Sequence, residues 1–416
     1  YKMASQDSKI NSTNVGSYDY FGSSIGITNG YKAIVSAPNN DNIGNVYVYT
    51  NTTSIGGTWS QTTHLISSNV IVGDQYGYAV AICGGTNPHK YIVSAPSKAD
   101  GRGAVYIYDA SYNETEILGP SELSYFGDSV KLNDDGSKAI VGATGVGNAY
   151  ILTSSSTYAL ASGTTLHVGS LSDYFGFSVD LSGSPSSSYS IVGAPGAGNG
   201  TGKAYIYNGA TLEATFPLNV LGTLYPSELV EGDYFGNSVA LDRNGETAVV
   251  GAFLQNSQGV AHVFVRGTST TDWSYQSKIV PNDIQIGDSF GDSVAISDDG
   301  DTIVVGASSK LSGGAMYTFI RSGTTWTQRE KIISSNLTTG DKFGYSVGIS
   351  PNGRKAIAGA YAATSSSNIF SGGSAYAYSI PDNYYSGTNR IIHETVPETE
   401  PVSTFEKFNI YVNGQP

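Results

Sequence analysis

The sequence contains a single cysteine, Cys83, among its 416 residues. One cysteine excludes a disulfide framework within the chain and any zinc site built on several cysteine ligands. Val80, Ala81 and Ile82 precede it, and this apolar run predicts that the thiol is a small buried side chain at the end of a strand. The fold must therefore be held together by packing and hydrogen bonding.

Positive charge is also scarce, because 21 Lys and Arg residues face 34 Asp and Glu, for a net charge of −13. No basic patch occurs, so we expect neither nucleic acid nor an anionic membrane surface as a partner. No apolar run approaches the ~20 residues of a membrane helix, so membrane insertion is not expected. The chain opens at Tyr1 without a signal-peptide pattern, and we expect a mature or trimmed fragment of a longer protein.

Glycine and tyrosine are abundant, with 52 and 30 residues. Glycine supplies the positive φ angles of tight turns, and tyrosine suits half-buried strands. The composition therefore predicts an all-β protein with many turns.

An aromatic-glycine pair recurs seven times with a spacing of about 50 residues, which is the period of a solenoid or a propeller. The pairs are Phe21-Gly22, Tyr76-Gly77, Phe126-Gly127, Phe175-Gly176, Phe235-Gly236, Phe290-Gly291 and Phe343-Gly344. In the sixth copy the pair opens a strand, Asp299-Gly300 marks a hairpin turn, and three further strand patterns end near Ile332. Four antiparallel strands in each of seven copies predict a seven-bladed β-propeller, which we place at residues 1–380.

The two ends of the repeat array predict how the ring closes. The seventh copy has three clear strands ending near Ile380, whereas residues 3–10 resemble a fourth strand without a blade. We expect this N-terminal strand to complete the last blade, which removes an open sheet edge. The alternative is that Phe405–Val412, in a C-terminal extension at residues 381–416 with a linker-like Glu394–Ser403, supplies the strand.

The repeated pattern resembles a known family. Gly-Asp-x-Phe-Gly-x-Ser-Val is complete at residues 232–239, and Ile-Val-Gly-Ala-Pro is complete at residues 191–195. Both resemble the FG-GAP repeat of integrin α-subunit propellers and related extracellular proteins, over roughly residues 1–380. The resemblance implies an extracellular or cell-surface location and a role in binding.

One feature of that family is missing. Members often carry an Asp-x-Asp-x-Asp-Gly calcium loop between the first and second strands, whereas the connections here are short, as at Asn133–Gly136 and Ser297–Gly300. They offer too few carboxylates for the six or more oxygens that calcium takes, so we read them as turns. We therefore expect no metal and no cofactor, with calcium as the alternative.

Several polar residues could act in catalysis or metal binding, but each is better explained by a role in the fold. Asp recurs two positions before the aromatic residue in six copies, and we expect each carboxylate to accept backbone N–H bonds in the loop. His262 replaces a strand tyrosine and is expected to be packed in its blade. No catalytic motif is evident, so we expect a protein that is not an enzyme. Five Asn-x-Ser/Thr sequons, all in predicted turns or loops, are candidate glycosylation sites: Asn11, Asn51, Asn113, Asn199 and Asn336.

The propeller topology places the longest connections, such as Pro38–Gly44 and Leu218–Asp233, on one face. We call it the long-loop face, and the opposite face, with its tight turns, the hairpin face. Loops on rigid scaffolds carry function. We expect an extracellular recognition or adhesion module that binds a protein or glycan ligand there. The alternatives are a building block that contacts neighbouring subunits of a surface or virion assembly, and an enzyme with its site at the channel mouth.

Overall fold

The computed structural model describes residues 5–12, 14–29, 32–51, 57–84, 89–220, 223–267, 272–311, 313–364 and 371–380. Within these residues the chain forms seven four-stranded antiparallel sheets, and the first strands of neighbouring sheets contact one another in a closed ring. The predicted C-terminal extension at residues 381–416, including Phe405–Val412, lies outside the described residues. The prediction of an all-β, seven-bladed propeller is confirmed.

Blades 1 to 4 follow one another along the chain. Blade 1 consists of β2 (Ile25–Ile27), β3 (Lys32–Ala37), β4 (Asn45–Asn51) and β5 (Trp59–Leu65). Blade 2 consists of β6 (Val80–Ile82), β7 (Tyr91–Ala95), β8 (Ala104–Tyr108) and β9 (Glu114–Leu118). Blade 3 consists of β10 (Phe126–Leu132), β11 (Lys138–Ala143), β12 (Asn148–Thr153) and β13 (Thr164–His167). Blade 4 consists of β14 (Ser178–Leu181), β15 (Tyr189–Ala194), β16 (Lys203–Asn208) and β17 (Thr211–Phe216).

A small hairpin lies between blades 4 and 5 and consists of β18 (Leu218–Val220) and β19 (Thr223–Tyr225). It was not predicted from the sequence. Blade 5 consists of β20 (Ser238–Leu241), β21 (Thr247–Ala252), β22 (Val260–Arg266) and β23 (Trp273–Ile279). Blade 6 consists of β24 (Phe290–Ile296), β25 (Thr302–Ala307), β26 (Ala315–Ser322) and β27 (Thr325–Ile332). Blade 7 consists of β28 (Phe343–Ile349), β29 (Lys355–Ala360), β30 (Ser374–Ser379) and, from the N-terminus, β1 (Ser5–Ile10).

Within the described part of the chain, helical structure is confined to single turns in the connections. The two α-helical turns are α1 (Lys98–Gly101) and α2 (Ala197–Gly200), and both contain residues with positive φ. The 3-10 turns are Asn40–Asn42, Thr144–Val146, Ser154–Ser156, Leu160–Ser162, Leu171–Asp173 and Gln255–Ser257. No described helix is long and apolar enough to cross a membrane.

The N-terminal strand closes the ring, as the sequence predicts. β1 pairs antiparallel with β30, with Ser5 opposite Ser379 and Ile10 opposite Ala375. The alternative that Phe405–Val412 supplies this strand is wrong, because β1 already occupies the edge of β30. The pairing of Ser5 with Ser379 also places both ends of the propeller at the hairpin face.

The hydrophobic core lies between the blades. Seven buried clusters each draw residues from two neighbouring blades. Each aromatic residue of the seven aromatic-glycine pairs is fully buried in the cluster between its own blade and the preceding one. The repeated aromatic residue is therefore the side chain that joins one blade to the next.

The junction of blades 6 and 7 shows why glycine and serine accompany that aromatic residue. Ser293 Oγ donates to the carbonyl oxygen of Gly344 at 3.0 Å, across the blade boundary. A Cβ on Gly306 would lie 1.8 Å from the same oxygen. Gly344 itself has a φ of +88°, a conformation that costs little only for glycine. The two backbones can approach this closely because neither carries a side chain there.

The same serine contact recurs at four other junctions. Ser129, Ser178, Ser238 and Ser346 donate to the carbonyl oxygens of Gly176, Gly236, Gly291 and Gly22, respectively. Blade 2 has Ala79 at the serine position, so its side chain has no hydroxyl to donate. The Phe-Gly-x-Ser pattern thus encodes a bond between blades rather than within one.

The close approach at Gly306 predicts a severe effect of one added methyl group. We expect Gly306→Ala to lower the free energy of unfolding by about 3 kcal/mol or more, because the Cβ collides with backbone that cannot move without opening the junction. Urea unfolding followed by circular dichroism measures the change. Gly323→Ala is the control, since Gly323 has positive φ but no atom within 4 Å of a Cβ, and only a backbone penalty of about 1 kcal/mol is expected. Equal losses in the two variants would contradict the junction model.

Closure by β1 predicts a second effect. Ile10 is buried in the cluster between blades 7 and 1, so we expect Ile10→Ala to cost about 2–4 kcal/mol of unfolding free energy. Ser8→Ala on the same strand is the control, because the Ser8 hydroxyl is buried without a hydrogen-bond partner and its removal should cost almost nothing. An Ile10→Ala variant as stable as the wild type would show that β1 does not hold the ring closed.

Candidate functional site

The long-loop face carries a concave site at the mouth of the central channel. Its volume is about 730 Å³, and blades 7, 1, 2, 3 and 4 line it. Seven aromatic side chains contribute to the wall, and we call the site the aromatic basin: Tyr20, Tyr78, Tyr125, Tyr174, Phe177, Tyr345 and Tyr361. Below it, the first strands of all seven blades line a narrower cavity of about 210 Å³.

Three positions of the repeat deliver these side chains. The first is the residue before the buried aromatic, such as Tyr125 or Tyr174, whose φ is 49° or 54°. The left-handed backbone at this residue lets its side chain lie on the face while the next residue enters the core. The second is the residue after the glycine, such as Phe177 or Tyr345, and the third follows the second strand, as Tyr361 does. Three positions of one repeat, used in different blades, therefore assemble the basin.

The aromatic rings lie in two groups. On one side Tyr361 contacts Tyr345 and Tyr20 edge to face, with centroid distances of 4.6 and 5.6 Å. On the other side lie Tyr174 and Phe177, which are 54% and 43% exposed. Exposed aromatic rings converging in a concavity are unusual on a protein surface and mark a binding site.

The polar part of the lining is small. Asp128 accepts a hydrogen bond from the Thr144 hydroxyl, and burial raises the pKa of the Asp128 carboxyl to about 6. Gln75 accepts a hydrogen bond from Ser97 Oγ at 2.6 Å. No lysine, arginine or histidine is among the described residues that line the basin. The site therefore combines apolar rings with a few hydrogen-bonding groups.

Aliphatic side chains surround the basin on the same face. Each lies three to five residues before an aromatic-glycine pair, and we call them the apolar rim: Ile71, Val72, Leu123, Leu171, Val230 and Ile286. They are 60–82% exposed. Among all exposed large hydrophobic residues that the structure describes, only Tyr112 and Leu212 lie outside the long-loop face. The apolar surface of the propeller is thus concentrated on one side.

The hairpin face, by contrast, carries ion pairs at its end of the channel. Arg243 Nε lies 3.1 Å from Asp134 Oδ2, and Arg243 Nη1 lies 3.8 Å from Asp298 Oδ2. Lys131 Nζ lies 3.1 Å from Asp180 Oδ1. We call these five residues the charged plug, beside which a cavity of only about 70 Å³ remains.

Backbone hydrogen bonds between hairpins reinforce the plug. The N–H of Asp134 donates to Gly183, that of Arg243 to Asp298, and that of Asp298 to Pro351, at 2.9, 3.3 and 2.9 Å. Each bond joins one blade to the next. The basin on the long-loop face is therefore the wide opening of the channel.

The repeated aspartates have the role that the sequence predicts. All six accept a backbone N–H from the residue three positions earlier and so close the turn that leads into the first strand: Asp19, Asp74, Asp173, Asp233, Asp288 and Asp341. At the first hairpins the side chains also close turns, as Asp242 does by accepting from the N–H of Thr247 at 3.0 Å. Among the described residues, no three His, Cys, Asp or Glu side chains are grouped to hold a metal ion.

His262 and Cys83 are packed residues, as expected. His262 is fully buried on β22, with Nε2 2.6 Å from Gln255 Oε1 and Nδ1 3.2 Å from the Tyr275 hydroxyl. Burial lowers the pKa of the imidazole to about 3, so the ring stays neutral. The Cys83 thiol is also fully buried.

The five sequons differ in accessibility. Asn113, Asn199 and Asn336 are exposed in connections. Asn11 is half-buried and accepts a hydrogen bond from the Ser374 hydroxyl. The prediction that all five lie in loops is wrong for Asn51, which is the last residue of β4 and only 2% exposed.

Sequence reasoning missed the basin itself. The signal was present as the tripeptide Tyr-Phe-Gly in four copies, which end at Gly22, Gly127, Gly176 and Gly236. In each, the second aromatic is buried and the first lies on the long-loop face. Two adjacent aromatic residues at a turn cannot both enter one core, and this could have identified the surface tyrosines.

The buried carboxyls predict an unusual dependence of stability on pH. Burial, aided by the negative charge of Asp134, raises the pKa of Asp298 to about 7, and burial raises those of Asp242 and Asp292 to about 6. Between pH 4 and 7 the folded protein then binds more protons than the unfolded chain, so the free energy of unfolding is expected to fall as pH rises through this window. Urea midpoints measured at each pH test this. Asp298→Asn should flatten the dependence of unfolding free energy on pH. Asp272→Asn, at an exposed site, is the control and should leave that dependence unchanged. A wild-type free energy of unfolding that rises between pH 4 and 7 would contradict the prediction.

Comparison with known proteins agrees with this architecture. A model of the FG-GAP repeat matches the chain at residues 4–49, 59–108, 221–264, 273–319 and 326–378. Residues 109–220, between two of these matches, contain the last strand of blade 2 and the whole of blades 3 and 4, which have the same strand order as the other blades. A search of curated proteins finds no match. The five matches cover more than half of the chain, which therefore belongs to the FG-GAP repeat family.

Proposed function

We propose that this propeller is an extracellular recognition module, without enzymatic activity, that binds a protein or glycan ligand through its long-loop face. The observation that carries the proposal is the coincidence of the aromatic basin and the apolar rim on that one face. Exposed apolar surface of this kind marks interaction sites on soluble proteins. The extracellular location follows the usual placement of FG-GAP proteins.

The two ends of the described propeller lie on the opposite side from the basin. Ser5 and Ser379 pair with each other at the hairpin face. The exposed sequon Asn113 lies in the hairpin-face connection between β8 and β9, where a glycan would not cover the basin.

Binding is favoured over catalysis by the lining of the basin. Asp128 is the one carboxylate among its described lining residues, whereas general acid–base hydrolysis commonly uses a pair. We also propose that binding needs no divalent cation, since the lining offers too few oxygen ligands for calcium.

A second candidate function is a building block of a surface assembly, and the apolar rim favours it. Side chains that are 60–82% exposed, such as Leu171 and Ile286, could pack against neighbouring subunits. This candidate predicts concentration-dependent self-association, which light scattering detects.

The proposal is tested by attaching a bulky polymer to one face of the propeller at a time. Because Cys83 is buried, a cysteine introduced at Leu171→Cys or Tyr112→Cys can be coupled selectively to a polyethylene glycol maleimide. Both variants are screened against arrays of glycans and purified extracellular proteins, with and without EDTA. We expect the polymer on the long-loop face at residue 171 to abolish binding and the polymer on the hairpin face at residue 112 to leave it intact, with no effect of EDTA.

Other outcomes distinguish the alternatives. Loss of binding from the residue-112 conjugate alone would contradict the assignment of the face. Absence of any ligand, together with self-association that only the residue-171 conjugate prevents, would favour the building block.

A further inference from the structure

We propose that the aromatic basin binds a neutral oligosaccharide. This inference rests on the proposed function, since it names the ligand of the same face, and it concerns the basin rather than the apolar rim.

The basin has the dimensions of a ligand site. Its volume of about 730 Å³ lies within the range of about 300–1,000 Å³ that small-ligand sites occupy. The charged plug and the narrow channel below it make the basin a cup with one wide entrance. An oligosaccharide end could enter from the long-loop face and be surrounded on several sides.

The rings offer the apolar contacts that a sugar needs. Sugar rings carry patches of C–H groups with partial positive charge, and aromatic faces carry partial negative charge. Tyr174 and Phe177 on one side, and Tyr345 on the other, are 43–54% exposed. A sugar ring that packs against either group would remove this apolar surface from water, which is favourable.

The polar groups match hydroxyl chemistry. Among the described residues, the hydrogen-bond donors to Asp128 are the Thr144 hydroxyl and, at 3.4 Å, the Thr144 N–H, so its carboxylate retains lone pairs for sugar hydroxyls. Asn39 and Gln75 add amide groups that both donate and accept. Each sugar hydroxyl also both donates and accepts, so this mixture is complementary to it.

The charge of the site selects a neutral sugar. No cationic side chain lies among the described lining residues, and the chain carries a net charge of −13, so an acidic sugar would be repelled. Aromatic rings and a carboxylate also attract cations. Asp128 is the one carboxyl among the described lining residues, so a cationic ligand is the rival that the experiment must distinguish from a neutral sugar.

The test compares basin variants of the full chain on an array of neutral and acidic glycans. We expect wild-type binding to neutral glycans alone, and binding at least about tenfold weaker in the double variant Tyr174→Ala/Phe177→Ala. Tyr174→Phe, which keeps the ring, should retain affinity within about threefold. Tyr112→Ala, at a hairpin-face tyrosine that also has positive φ, is the matched control and should bind as the wild type does.

Salt dependence and a cationic probe distinguish a neutral oligosaccharide from a cationic ligand. Titration with a neutral glycan from the array should be nearly independent of NaCl concentration, whereas binding of an oligolysine peptide would weaken with salt. Preference for acidic glycans, salt-sensitive binding of oligolysine alone, or neutral-glycan binding that survives in Tyr174→Ala/Phe177→Ala would each overturn the inference.

The same variants separate this inference from the proposed function. A protein ligand that the residue-171 conjugate blocks and the basin variants do not would overturn the oligosaccharide while leaving recognition by the long-loop face in place. If the residue-171 conjugate blocks nothing, both fail. Thermal unfolding of each variant confirms that loss of binding is not loss of fold.

Discussion

The distance of closest approach between neighbouring blades decides the geometry of this propeller. At the junction of blades 6 and 7, the carbonyl oxygen of Gly344 lies 1.8 Å from where a Cβ of Gly306 would be, and Ser293 donates to that same oxygen. Blades this close bury the repeated aromatic residue completely, and their first strands line a central cavity of only about 210 Å³.

The turn into each blade explains why exposed aromatic side chains collect at one face. The chain must turn sharply into the first strand of each blade, and it does so through a left-handed residue followed by the buried aromatic, as at Tyr174 and Phe175. The left-handed residue cannot enter the core, so its side chain is placed at the channel mouth. Because the turn is repeated in every blade, tyrosines that are far apart in sequence meet around one axis.

Much of this fold could be predicted because its signals are local. Hairpin turns, strand alternation, the turn-closing role of residues such as Asp288 and the unpaired strand that became β1 each occupy a few consecutive residues. The basin could not be predicted in the same way, because it depends on how five blades converge. Asn51 shows a related limit: its sequon is visible, but the burial of its side chain depends on where β4 ends and which way that last residue faces.

The two faces of the ring have different physical tasks, and their compositions follow from them. The hairpin face receives the ends of the propeller and closes the channel with paired charges and backbone hydrogen bonds, such as that from Asp298 to Pro351. Charged residues suit this task because ion pairs hold neighbouring hairpins in place without exposing an apolar surface. At the long-loop face backbone hydrogen bonds also join neighbouring blades, such as that from the Tyr76 N–H to the Ile43 carbonyl oxygen at 3.0 Å, but no ion pair lies among the described residues that line the basin. The residues of the apolar rim belong to none of the interblade clusters, so their burial does not hold the blades together. Contact with a ligand would remove this apolar surface from water, which accounts for its presence on one face.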